Sequence, residues 1–150
     1  MIKIRAATIN DAEKIAKDNL LLTIESEKLK IDYKKTLNAV KSILTDESKG
    51  FLIVAEKNKD IVGHLMITYE WSDWQNKNMW WIQSVYVDKN HRKQGIFSEM
   101  VEHIKNMALK NNVDLIRLYA HEENMNAIKA YEKTNMIKKP YVIYEISSKQ

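Results

Sequence analysis

A chain of 150 residues with 29% charged and 45% hydrophobic side chains has a soluble globular balance and enough length to bury a core. Its 24 basic and 20 acidic residues leave a net charge of +4, but the two signs interleave, which argues for a mixed solvated surface rather than a nucleic-acid-binding stripe. The chain has no cysteine, which excludes disulfides, thiolate metal sites and a cysteine nucleophile.

No apolar run is long enough to span a membrane, and the opening "MIKIRAATINDAEK" has no signal-peptide core. A cytoplasmic protein is the simplest reading, with no membrane or nucleic-acid partner, and a homodimer is allowed. "IKIRAA" alternates well enough for a first strand. Thr8 or Asn10 can cap the helix that follows, whose apolar face is expected at Ile15, Ala16, Leu20, Leu22 and Ile24. Leu37, Val40, Ile43 and Leu44 predict a second helix after the polar "KLKIDYKK". "GFLIVAEK" and "DIVGHLMITYEW" are β-rich and joined by "KNKD", so they read as a hairpin. After the polar loop "SDWQNKN", "NMWWIQSVYV" is a further strand.

A helix then opens at Gly95 and shows Ile96, Met100, Val101, Ile104 and Met107 on one stripe. "VDLIRLYA" reads as a strand, "NAIKAYEKT" as a short helix and "YVIYEIS" as a final strand. The whole is one domain over residues 1–150, of mixed α/β order with a mostly antiparallel sheet flanked by helices.

The turn between Val85–Val87 and the helix carries Arg92, Lys93, Gln94 and Gly95, in a chain with only 3 glycines. Unpaired amides at a helix start, with the helix dipole behind them, suit a phosphate. Glycine there lets an anion approach the backbone, Arg92 offers planar donors and Lys93 a point charge. In "NMNAIKAYEKTNM", helical spacing sets Asn124, Ala127, Ile128 and Tyr131 on neighbouring parts of one face. Taken alone, Tyr131 reads better as core packing beside Ile128 than as a functional group.

Over nearly its whole length the chain resembles the GNAT superfamily of N-acetyltransferases. "HRKQGIF" is similar to that family's pyrophosphate loop, with Arg92 and Gly95 matching and Phe97 standing where a small residue is usual. The resemblance implies acetyl-CoA as cofactor, held by Val85, Tyr86 and Val87 of a splayed strand, by the loop from Arg92 through Lys93, Gln94, Gly95, Ile96, Phe97 and Ser98, and by Asn124. It implies Tyr131 as proton donor to the leaving thiolate, a role suited to a phenol that is neutral at neutral pH. An amine would attack the thioester directly, with a backbone N–H near Val85 receiving the charge that develops on oxygen.

Where the family commonly carries a glutamate this chain has Gln83, which cannot take a proton. Glu70 and Asp73 are the nearest candidates for a base. With Trp71, Trp74 and Gln83 they are expected to line the acceptor side, where carboxylates and indoles would suit a cationic or amphipathic amine on a small molecule or peptide. Trp80 and Trp81 face opposite sides of their strand, and packing accounts for at least two of the four tryptophans. His64 reads as a sheet histidine. Neither "HEEN" nor the surroundings of His103 has ligand spacing, so no metal is expected. The alternative to an enzyme is a non-catalytic domain that senses acyl-CoA, favoured by Gln83 and Phe97 and opposed by Tyr131 with Asn124.

Overall fold

A computed structural model describes residues 1–149. Strand β1 (Lys3–Ala6) pairs antiparallel with β2 (Gly50–Lys57). β2 turns through Asn58 and Lys59, both at positive φ, into β3 (Asp60–Ser72). Two left-handed residues give a tight hairpin the twist that its strands already have. β4 (Lys77–Val87) follows antiparallel, and β5 (Ile116–Arg117) closes the order β1-β2-β3-β4-β5 as the one parallel neighbour. This is the mixed, mostly antiparallel sheet expected from the element order.

Helices α1 (Ala12–Ser26) and α2 (Tyr33–Thr45) cover one face, packing Ile15, Ala16, Val40 and Ile43 on Leu52 and Val54. The other face is covered by α3 (Ile96–Lys110), whose Ile96, Met100 and Ile104 meet Ile53, Leu65, Ile67 and Ile82. α4 (Met125–Lys133) lies beside α3. Burial of such apolar area, worth about 25 cal/mol per Å², holds both layers to the sheet.

Four expectations are corrected. The polar loop after β3 is shorter than "SDWQNKN", because the ladder runs on through the pairs Trp71–Asn78 and Ser72–Lys77, leaving residues 73–76 as the turn. "VDLIRLYA" pairs only at Ile116 and Arg117. "YVIYEIS" forms no paired strand among the described residues. The α1 stripe is rotated: Ile24 is exposed, and the buried face runs Ala12, Ile15, Ala16 and Asn19, with Asp18 beside it. That spacing of three, four and seven is the true inward face.

The rotation has a partner on the sheet. Nε2 of fully buried His64, on β3, donates to Asn19 Oδ1 at 2.9 Å. Its Nδ1 lies 4.0 Å from Asp18 Oδ2, too far for a hydrogen bond. Burial holds the imidazole neutral, its pKa lowered from 6.5 to about 3, so the two groups do not form an ion pair. Asp18 is pushed up by its own burial, against the hydrogen bond from Lys14.

The unfolded chain protonates His64 near 6.5 and the folded chain near 3, so its contribution to stability is complete above that upper value and is lost as pH falls between the two. The raised Asp18 works in the opposite sense, favouring the folded state at low pH. Urea unfolding between pH 6.5 and 4 should therefore lose up to about 1.4 kcal/mol per pH unit from His64. His64→Gln should flatten that slope; an unchanged slope would mean that another group carries the acid sensitivity.

Candidate active site

β4 carries the site's geometry. Its pairing with β5 covers only Trp80 and Trp81, while β4 itself continues to Val87. From Ile82 onward the edge away from β3 has no strand partner among the described residues. The two strands thus part in a wedge, leaving backbone donors and acceptors of β4 open to a ligand. A bulge marks its apex: Ile67 pairs with Ile82 and Met66 with Ser84, so Gln83 is the extra residue. Bulges re-aim a strand and its side chains. Here Gln83 Nε2 donates to Thr68 Oγ1 at 2.9 Å.

At its far end β4 passes through a short 3-10 turn (Lys89–His91) into the loop before α3. Lys93 and Gly95 both hold left-handed backbone, at φ 61 and 82. For lysine that conformation costs about 1–2 kcal/mol, strain of a kind that clusters at functional sites. Gly95 is the N-cap of α3, and having no side chain it leaves the helix start uncapped. The amides of Ile96, Phe97 and Ser98 have no protein acceptor among the described residues. A Cβ built on Gly95 would meet nothing within 4 Å, so the space before those amides is open. Donor set and open approach fit a diphosphate.

Arg92 is oriented differently from a free phosphate ligand. Its Nε donates to Val87 O at 2.9 Å, its Nη2 meets Glu25 Oε2 at 2.7 Å, and the guanidinium lies 5.4 Å from the Tyr86 ring centroid. Tyr86 in turn stacks on His64 at 6.2 Å. These contacts tie the end of α1 to the loop. They leave Lys93 as a loop cation with no ion pair among the described residues.

Tyr131 projects from α4 to the first turn of α3, its ring 5.6 Å from that of Phe97. The bulky Phe97 therefore brings the phenol to the helix start. Burial pushes the Tyr131 pKa above its ordinary 10.0, so it keeps its proton through the neutral range. Asn124 caps α4, its Oδ1 accepting from Ala127 N at 3.2 Å. Its Nδ2 has no partner among the described residues.

The acceptor-side residues are only partly brought together. Strand alternation sets Thr68 and Glu70 on one face, and Trp81 faces the same way opposite Thr68. Gln83 joins that group through Thr68, whereas Trp71 points to the other face. Asp73 and Trp74 sit at the hairpin tip, with Trp74 94% exposed. Glu70 is level with Met79, about 10 Å along β4 from Ile82. Thr68, Trp81 and Tyr119, the last with its ring tilted at 60° to that of Trp81 and 6.2 Å away, belong to this surface too. Alternation from Trp80 hinted at Trp81, but Thr68 and Tyr119 depended on strand register.

The family model described as the Acetyltransferase (GNAT) family matches residues 13–136. The crystal structure of a possible acetyltransferase from Clostridium difficile 630 is 42% identical, with a TM-score of 0.92 over 100% of this chain and 99% of that one. Two more distant structures share the fold. One is a predicted acetyltransferase with acetyl-CoA from Clostridium acetobutylicum, 19% identical, covering 97% and 96% of the two chains with a TM-score of 0.80. The other is the aminoglycoside acetyltransferase meta-AAC0020 from an uncultured soil metagenomic sample in complex with sisomicin, 19% identical, 99% and 97% covered, with a TM-score of 0.78. Among curated proteins there is no match to this sequence.

Proposed function

The chain belongs to the GNAT family of acetyltransferases, and from that premise we propose that it moves the acetyl group of acetyl-CoA to a primary amine of a small molecule or peptide by direct attack. The carrying observation is the continuous path from the open edge of β4, Ile82–Val87, to the uncapped amides of α3 with Tyr131 beside them. Bound acetyl-CoA supplies an activated thioester acyl group. Val85, Tyr86 and Val87 offer backbone pairing to its pantetheine arm, and Asn124 an amide N–H from the α4 side. The amides of Gly95–Ser98 and the Lys93 ammonium hold its pyrophosphate.

A backbone N–H near Val85 receives the charge that grows on the carbonyl oxygen. Tyr131 delivers a proton to the departing sulfur, which its raised pKa permits. Gln83, hydrogen-bonded to Thr68, orients the acceptor and takes no proton. Glu70, on β3 beside Met79 of β4, receives the amine proton through water. Glu70 also attracts a cationic acceptor, while the Trp81–Tyr119 pair covers its apolar part. Asp73 and Trp74 extend this surface to the hairpin tip, while Trp71 lies on the opposite face of β3.

A screen of polyamines, aminoglycosides and peptide N-termini, read by release of the CoA thiol, tests the reading. Release with at least one primary amine is the expected result. Tight acetyl-CoA binding with no release for any amine class would favour the acyl-CoA sensor instead. With a substrate in hand, replacing Glu70 and Asp73 by their amides should raise the acceptor KM about fivefold, the worth of an exposed charge contact, and shift the pH profile through Glu70. Acetyl-CoA affinity should hold. A loss confined to cofactor binding would put this segment on the wrong side of the site.

A further inference from the structure

Trp71 lies on the face of β3 turned away from Thr68 and Glu70, so acetyl transfer leaves this exposed indole without a role. On that face Tyr69 precedes it by two residues, and Asn78 is its cross-strand partner. Tyr69 and Asn78 line a cavity of about 300 Å³. Buried Trp80 forms part of its wall, and Asn111 and Asn112 reach it from the C-terminal end of α3. Its volume is at the lower end of the range for small-molecule sites.

We propose that this cavity, separate from the acetyl-transfer site, binds the pyranose ring of a neutral sugar. Charge is the first reason. Lys77 is the one charged residue in the lining among the described residues, and its Nζ is already held 2.6 Å from Asp114 Oδ2. The end of α3 presents the negative pole of the helix dipole, so an anion meets the wrong sign. Hydrogen bonding is the second. Asn111 Nδ2 donates to Met107 O at 2.7 Å, which leaves its Oδ1 open. Asn112 Oδ1 accepts from Lys77 Nζ at 3.4 Å, which leaves its Nδ2 open. Asn78 adds a carboxamide with no partner among the described residues. Open donors and acceptors side by side match hydroxyl groups, each of which donates and accepts.

The third reason is aromatic surface. Trp71 is 61% and Tyr69 37% exposed, about 7 Å apart along one face of the strand. A pyranose has a face of C–H bonds, whose weakly positive hydrogens suit the negative face of an aromatic ring. Acyclic polyols have the hydroxyls without that face, and charged sugars have the face with the wrong charge. Amides beside an aromatic platform thus select the neutral ring.

Titration of the isotope-labelled full chain with methyl glycosides of glucose, galactose, mannose and N-acetylglucosamine, followed by NMR, tests the proposal. At least one should give saturable shifts at the Trp71 indole N–H and the Asn78 side-chain amide. A Kd on the order of 1 mM is expected for so small a ligand. Xylitol, which lacks the ring face, and methyl glucuronide, which carries a carboxylate, should each bind at least about fivefold more weakly. Trp71→Ala should weaken binding about tenfold, whereas Trp71→Tyr keeps an aromatic face and should lose less than about threefold. Asn78→Leu should weaken it with the aromatic pair intact, and thermal unfolding checks the fold of each variant. If a tetramer of the bound sugar is held more tightly than the single ring, the source is a glycan chain; equal affinity makes it a free sugar. No saturable shift with any of the glycosides would overturn the proposal. So would binding that survives Trp71→Ala, or equal binding of xylitol. Shifts confined to the Trp81 indole would put the sugar in the acceptor cleft and overturn it as well.

Discussion

Gly95→Glu is expected to weaken acetyl-CoA binding about 100-fold, close to 2.7 kcal/mol, while leaving the protein folded. Gly95 sits at φ 82 before the free amides of Ile96, Phe97 and Ser98. A glutamate side chain there has open space, since a Cβ meets nothing within 4 Å. Its carboxylate also lies favourably at the positive end of the α3 dipole in the free protein. Both facts limit the damage to the fold to the strain of a left-handed residue, about 1–2 kcal/mol. The same carboxylate occupies the place proposed for the pyrophosphate and repels it. Gly95→Asn separates the two effects, because asparagine tolerates this backbone and brings no charge. Calorimetry on both variants, with thermal unfolding as the control, should show the large loss for glutamate alone. Unchanged affinity in a folded Gly95→Glu protein would move the cofactor away from this loop.

Tyr131→Phe should lower kcat about 100-fold, within the range for loss of a general acid, and change acetyl-CoA affinity by less than about twofold. The substitution removes one hydroxyl and keeps the ring that packs on Phe97. If the phenol acts only when sulfur leaves, its loss falls on the transition state and not on docking. Because burial raises its pKa above 10.0, Tyr131 should impose no loss of activity with rising pH in the neutral range. Any alkaline limb below that value has to come from another group. Equal turnover by the variant, measured where chemistry limits the rate, would remove Tyr131 from the mechanism.

Much of the molecule was legible along the chain because it depends on local chemistry. The hairpin at Asn58 and Lys59, the apolar stripe of α3 and the glycine before its first turn all follow from backbone preference and periodicity within a few residues. The motif carrying Arg92 and Gly95, followed in order by that of Asn124 and Tyr131, was enough for the family. Other features were decided by groups far apart in sequence. The bulge at Gln83 exists only as a mismatch between β3 and β4, and no single strand encodes a register. Arg92 turned to Glu25 and Val87 because α1 ends beside the loop. The α1 face rotated to bring Asn19 to His64, since a buried imidazole needs a hydrogen-bond partner and apolar periodicity does not register that need. The fate of "YVIYEIS" shows the same division. Its residues have strand chemistry, but a strand also requires a paired edge, and only the tertiary structure shows that this segment lies exposed and unpaired among the described residues.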